Sequence, residues 1–342
     1  MKVKILSIKP AKNPKARFIA LTGTPVTESP LNAYSLARLI QPELACSKQK
    51  FDAFFVETEV KFFGGARINK VKGYKNLDKL KELLASFAIR RITAEGMPEK
   101  IWTERIVELS SAQKAAYNAL AKSAKREIES EGFNQEQAEN KTLKLRQFLN
   151  HPSILGMDEE SAKLDAVEEI ADEILEDPQA KLLIWTFFLP AIPKYVERLK
   201  RYNPKVVEGA TPDSELKRLQ KTFDHSNERI IIASLSKAST GIDWFARARH
   251  AIYVDLPYSA VMFNQSQDRL RRRVDLTSKD EIEMIKARPA ILIKLKVPGS
   301  VDSAIIATLD RKQKLSDAAT SIRIDDIKLS QEELMDALAP LE

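Results

Sequence analysis

Apolar positions along this chain follow two rhythms, and the change between them comes near residue 160. Beyond that point, short apolar runs rich in β-branched residues occur at 182–187, 205–207, 229–235, 250–256 and 290–297. Before, between and after them, at 161–176, 191–202, 213–223, 261–273 and 301–318, apolar residues recur every three or four positions. Unbroken apolar strands alternating with amphipathic helices predict an α/β fold with a parallel sheet, because each crossover helix covers one face of the sheet on its return. In such a sheet, chemistry gathers at the carboxyl ends of the strands. Upstream, RFIALT at 17–22 predicts a buried strand ending at a Gly-Thr-Pro turn. Helical spacing occupies 31–40, 77–88 and a long charged stretch at 111–150, whereas 51–79, with Gly64, Gly65 and Gly73, reads as irregular loops.

Charge sharpens this division. The formal net charge is +7, and it is unevenly placed. Residues 1–150 carry 27 Lys and Arg against 16 Asp and Glu, whereas 151–342 carry 28 against 32. A basic first part suits a polyanionic partner, although solvated lysine faces give the same count. The single cysteine, Cys46, excludes an intrachain disulfide framework, and with only three histidines a Cys/His metal centre is not expected. A reducing, intracellular setting follows as the default. No apolar run approaches the about 20 residues that span a bilayer, so no membrane partner is expected.

Two arginines, Arg269 and Arg272, stand three apart in a helical stretch, a spacing that turns both toward one spot. Rigid guanidinium forks suit phosphate oxygens, although Arg269, Arg271, Arg272 and Arg273 would equally make an ordinary basic face. Just upstream, SLSKASTGID at 234–243 joins a strand end to Gly241, which permits close backbone approach. Ser234, Ser236 and Lys237 offer donors to a phosphodiester backbone there, or simply a capped turn into the next element. Asp243 suits either a coupling role or a helix N-cap. Trp102, Trp185 and Trp244 read as core or interface residues.

Several segments, in order, resemble one family, the Swi/Snf-like ATP-dependent DNA translocases of helicase superfamily 2. Leu21-Thr22-Gly23-Thr24-Pro25 looks like the family's motif III, and Phe87 to Arg91, Met97 to Lys100 and Val107 to Ser110 look like its linker. Leu145-Arg146-Gln147-Phe148-Leu149-Asn150-His151-Pro152 is close to a characteristic family string, and Ser161-Ala162-Lys163-Leu164 opens the next lobe. Leu183 to Phe188 resembles motif IV, Ser234 to Asp243 motif V, and Gln265 to Arg272 motif VI. The stretch 73–77 is loosely similar to the annealing-helicase branch. The resemblance covers about residues 12–318.

It implies a RecA-like helicase C-terminal lobe at 156–320, preceded by the end of a first RecA-like lobe at 1–45 and a helical linker at 46–155, with a tail at 321–342. It implies Arg269 and Arg272 as arginine fingers, and Gly241, Asp243, Gln265, Thr22, Gly23 and Thr24 at the ATP cleft. Thr186, Ser234, Ser236, Lys237, Arg90 and Arg91 would meet DNA; Arg90 and Arg91 would equally brace the lobes. ATP and magnesium are the implied cofactors and double-stranded or branched DNA the implied partner. Their main binding motifs are not found: the 342 residues contain no Gly-Lys-Ser/Thr loop and no Asp-Glu box ahead of Leu21. Asp172-Glu173 lies within an amphipathic helix and reads as a solvated face. The expectation is a motor component inactive alone, its ATP-gripping lobe encoded upstream or on a separate chain. A non-catalytic DNA- or protein-binding module, or a gene fragment, is the alternative.

Overall fold

The structure, a computed structural model, describes residues 32–40, 47–63, 66–87, 89, 100–225, 228–238, 242, 244–270, 289–318 and 331–341. The expected strand at 17–22 and its Gly-Thr-Pro turn lie outside them. The chain forms two compact units, Met1–Arg90 with Ser316–Asp326, and Arg91–Leu315 with Ile327–Glu342. This division differs from the expected boundaries: the linker from Lys100 on belongs with the sheet.

In the first unit, α1 (Asn32–Ile40), α2 (Lys48–Phe55) and α3 (Leu77–Phe87) surround a small core of Tyr34, Phe51, Phe55, Leu80 and Leu84. Phe51 lies 5.3 Å from Tyr34 and 4.6 Å from Phe55, ring centre to ring centre. Where irregular loops are expected, the chain pairs β1 (Val56–Phe63) with β2 (Ala66–Tyr74) antiparallel. The Gly64-Gly65 dipeptide between two alternating runs is a hairpin signal in the sequence. Asn76 then takes φ 54°, a conformation asparagine tolerates, and its side-chain amide donates to the Phe54 carbonyl at 2.8 Å.

The second unit is built on a six-stranded sheet ordered β3-β8-β7-β4-β6-β5, in which all neighbouring strands pair in parallel. In chain order these are β3 (Lys100–Ile106), β4 (Leu182–Thr186), β5 (Lys205–Val207), β6 (Ile230–Ser234), β7 (His250–Tyr253) and β8 (Ala290–Lys296). Every residue of β4 (LLIWT) and β6 (IIIAS) is buried, as a strand covered on both faces requires. Edge strand β3 is different: Ile101, Thr103, Glu104 and Ile106 are exposed.

The crossovers are α6 (Ala162–Leu175), α7 (Ile192–Arg198), α8 (Asp213–His225), the short α9 (Leu235–Ala238) and α10 (Ala260–Arg269), with α11 (Val301–Ala318) after β8. The expected helix over 111–150 is two: α4 (Ser111–Glu131) stops at Gly132, φ 84°, and α5 (Gln135–Asn150) restarts with Asn134 accepting from the amides of Glu136 and Gln137. Their apolar faces join the sheet's core through Tyr117, Leu145, Phe148 and Leu149, so this pair is part of the second unit. The tail's helix, α12 (Gln331–Ala337), packs on α5 and buries Leu334. Trp185 is fully buried, Trp244 nearly so, and Trp102 packs against the core. No helix among the described residues is long and apolar enough to cross a membrane.

His250 opens β7 with Nδ1 buried, and burial, helped by the neighbouring Arg249 charge, pulls its pKa below the usual histidine value. His151 is lowered too, chiefly by burial. A depressed pKa means that folding disfavours the imidazolium. The stability due to neutral imidazole is therefore present above the unfolded pKa of about 6.5 and is lost as pH falls toward the folded value. The urea midpoint should fall on acidification from neutral pH, and His250→Phe should shrink that fall. An identical fall in the variant, followed by circular dichroism, would remove His250 from the explanation.

Candidate functional site

The carboxyl end of the sheet is organised around one carboxylate. Asp255, two residues past β7, is 3 % exposed. Its oxygens accept the Phe187 amide at 2.7 and 3.2 Å and the Thr186 hydroxyl at 3.0 Å. The Asn150 side-chain amide donates to the same carboxylate and to Thr186 Oγ1. Thr186 thus uses its full capacity, donating to Asp255 while accepting from Asn150 and from the Phe188 amide at 3.2 Å. Burial raises the Asp255 pKa, and the charges of Arg146 and Lys163 oppose the shift.

Those two cations are themselves buried, at 3 % and 1 % exposure. Arg146 donates to the Leu256 carbonyl at 2.6 Å and lies 4.6 Å over the Tyr258 ring and 5.4 Å over Phe188. Lys163 donates to the Val254 carbonyl at 2.9 Å and pairs with Asp302 at 2.7 Å. Asp302 also accepts from the Val297 amide at 3.3 Å, just past β8. The Asn150 carbonyl accepts from Tyr195 at 3.0 Å and from Ser161 at 3.1 Å. The strings 145–152 and 161–164 therefore act as fasteners: they tie the loops after β4, β7 and β8 together from beneath. Sequence reasoning recognised the strings but not this duty, since charged residues in amphipathic helices look solvated.

This geometry corrects one assignment outright. Thr186 is fully buried and committed to Asp255, so it presents no hydroxyl to a ligand. Ser234 is also fully buried, with Oγ 3.3 Å from Ser236 Oγ. Ser236 is exposed at the carboxyl end of β6. Lys237 belongs to α9, but its side chain is outside the described residues. So are Thr22, Gly23, Thr24, Arg90, Arg91, Gly241, Asp243 and Arg272. Of the expected arginine pair, only Arg269 therefore lies within the described residues.

Arg269 and Gln265 are described, both in α10. Ser259 caps this helix, accepting from the Met262 amide at 3.1 Å, and the chain starts back from the carboxyl end of β7. Ser266 donates to the Phe263 carbonyl at 2.7 Å, which leaves its oxygen to accept from Tyr253 at 2.9 Å. In the last turn Asp268 meets Lys100, the first residue of β3, at 2.7 Å. The helix therefore returns toward the end of the sheet where β3 begins. Arg269 lies there and not at the carboxyl ends of the strands, where chemistry is expected to gather. It is 7 % exposed, and its pKa is lowered by burial, with Asp268 opposing. Gln265 is half-buried one turn earlier.

Among the described residues no group of three His, Cys, Asp or Glu could hold a metal ion. Asp172 instead pairs with Arg201 at 2.5 Å on the surface of α6 and accepts from Tyr202, a solvated face as expected.

Residues 12–154 match the family model described as the SNF2-related domain. An uncharacterized ATP-dependent helicase of Mycoplasma pneumoniae is 27 % identical over 276 residues, 77 % of this chain and 25 % of that protein. The DNA annealing helicase and endonuclease ZRANB3 of Mus musculus is 22 % identical over 323 residues, 93 % of this chain and 28 % of that one. The Sulfolobus solfataricus SWI2/SNF2 ATPase core in complex with dsDNA superposes with a TM-score of 0.53 at 21 % identity, covering 90 % of this chain and 63 % of that one. The C-terminal domain of a Sulfolobus solfataricus SWI2/SNF2 ATPase gives 0.52 at 22 %, covering 71 % of this chain and all of that one. These likenesses identify the parallel sheet with its flanking helices as RecA-like. The chain spans about a quarter of the length of the first curated relatives it matches.

Removing the Lys163 ammonium would strand the Asp302 carboxylate in a dry site. Breaking a buried pair from one side costs about 3–5 kcal/mol, so Lys163→Met should lower unfolding stability by that order in urea denaturation. A loss no larger than that of an exposed lysine substitution would contradict the fastening role.

Proposed function

We propose that this chain, a relative of the Swi/Snf-type ATP-dependent helicases, supplies the second RecA-like lobe of a motor that translocates on duplex DNA. In this reading Arg269 and Arg272 donate to the phosphates of ATP held by a P-loop-bearing first lobe. Gln265, Gly241 and Asp243 line the same cleft, and Thr22, Gly23 and Thr24 couple it to the first lobe. Phosphoryl transfer asks little covalent chemistry of the protein. It asks for positioned positive charge, and a guanidinium entering the transition state is worth about 10³–10⁵ in rate.

The observation that supports this reading best is the state of Arg269. Its guanidinium is largely removed from water, in the last turn of a helix packed on the sheet. A desolvated cation interacts more strongly with an arriving phosphate than an exposed one, because the local dielectric is low.

Duplex DNA is proposed to run along the carboxyl end of the sheet. Ser236 and Lys237 would contact its backbone there, and Arg90 and Arg91 would add charge. Such contacts position without reading sequence. The basic balance of residues 1–150 supports the same partner. ATP would be the fuel of the assembled motor, and a first lobe bearing the Gly-Lys-Ser/Thr loop would come from the same or another polypeptide.

Two measurements on the purified 342-residue chain test this. Affinity for duplex should fall by at least about tenfold between 50 and 200 mM salt, as counterion release requires when several phosphates are neutralised; an affinity indifferent to salt would remove the DNA surface. No DNA-stimulated ATP hydrolysis is expected from the chain alone. Steady turnover would show that the ATP-gripping elements are not required from elsewhere.

A further inference from the structure

Strand β3 falls in the expected linker, yet it touches α10 at two places. Lys100 Nζ lies 2.7 Å from Asp268 Oδ1 and 3.2 Å from Gln267 Oε1, the two residues immediately before Arg269. Trp102 lies 5.2 Å from the Phe263 ring and 5.5 Å from Tyr253. The Lys294 ammonium sits 4.7 Å over Trp102. Phe263 belongs to the first turn of α10 and Gln267–Asp268 to the last, so the strand holds the helix near both ends.

Two contacts five residues apart, about 7.5 Å along the axis, fix pitch and rotation together. Rotation is what matters for one side chain: a slip of one residue turns the helix by about 100° and would carry Arg269 to another face. The aromatic contact alone leaves the last turn able to fray, since helix ends lack the closing hydrogen bonds of the interior. The Lys100 contacts secure that turn.

We infer that Lys100 and Trp102 are positioning residues for Arg269, with the β3 strand acting as the seat of the arginine-bearing helix. The value of this seat for phosphate chemistry rests on the function proposed above; the seat itself does not. Lys100 is unsuited to a purely stabilising duty. Its side chain is 18 % exposed and that of Asp268 is 52 % exposed, and ion pairs so open to water add little to folding stability. What Lys100 contributes is direction.

The test uses the full chain and phenylglyoxal, which modifies arginine, with each site followed by mass spectrometry. Arg146, 3 % exposed, serves as the internal reference for general loosening. Lys100→Met should raise the modification rate at Arg269 several-fold, leave Arg146 and the melting temperature unchanged, and be rescued by Lys100→Arg. An unchanged Arg269 rate in Lys100→Met overturns the inference. So does a parallel rise at Arg146, which would mark a general structural loss. Labelling uses no ATP, so it separates the two ideas: a confirmed seat beside an Arg269 variant with full motor turnover would discard the phosphate role and keep the positioning.

Discussion

A carboxylate kept out of water at the end of a parallel sheet is the constraint on which this lobe depends. Asp255 is tolerable there only because the amide of Phe187, the hydroxyl of Thr186 and the amide side chain of Asn150 all point at it. They come from two parts of the chain, the end of β4 with the residue after it and the end of α5, and the carboxylate itself follows β7. Satisfying one buried carboxyl group therefore fixes where three segments meet. Lys163 extends the same logic to β8 and α11 by pairing with Asp302 while capping the Val254 carbonyl. Polar networks of this kind are demanding, since a half-satisfied one is worse than an apolar core. Here Asp255 receives all three donors, although the buried Asn150 Oδ1 has no partner among the described residues, and the loops at this end of the sheet gain a fixed floor.

That floor separates two duties. Groups beneath it hold the loops, and groups above it, Ser236 among them, are left to face solvent. The arginine helix is supported differently. It leaves the carboxyl end, crosses over Tyr253 and ends beside Lys100, so Arg269 is presented near the other end of the strands. In the proposed motor this arrangement would keep DNA-backbone contacts and nucleotide contacts apart while linking both through the same sheet.

The sequence made some of this legible and hid the rest for physical reasons. Strands β4 and β6 were readable because every residue in them is apolar or small and buried, a pattern local to five residues. Strand β3 was not, because KIWTERI is half solvated and its pairing partner β8 lies about 190 residues downstream. The break at Gly132 inside 111–150 passed unseen because both flanking segments have good helix formers. Arg269 was singled out by its spacing in a helix together with the motif VI resemblance. Thr186 was misassigned because a hydroxyl at a strand end looks the same whether it faces a phosphate or a carboxylate 69 residues away. Arg146 and Lys163 were quoted only as parts of strings, since nothing local marks a cation as buried.

The central claim, that Arg269 serves a nucleotide-driven motor, is tested most directly by DNA-stimulated ATP hydrolysis. The assay uses the assembled motor, these residues together with a lobe bearing a Gly-Lys-Ser/Thr loop, and compares the native arginine with Arg269→Ala. The account predicts a fall in turnover of about 10³-fold or more, with duplex affinity unchanged. Turnover retained within about tenfold, a deficit of only about 1.4 kcal/mol in the barrier, would contradict it.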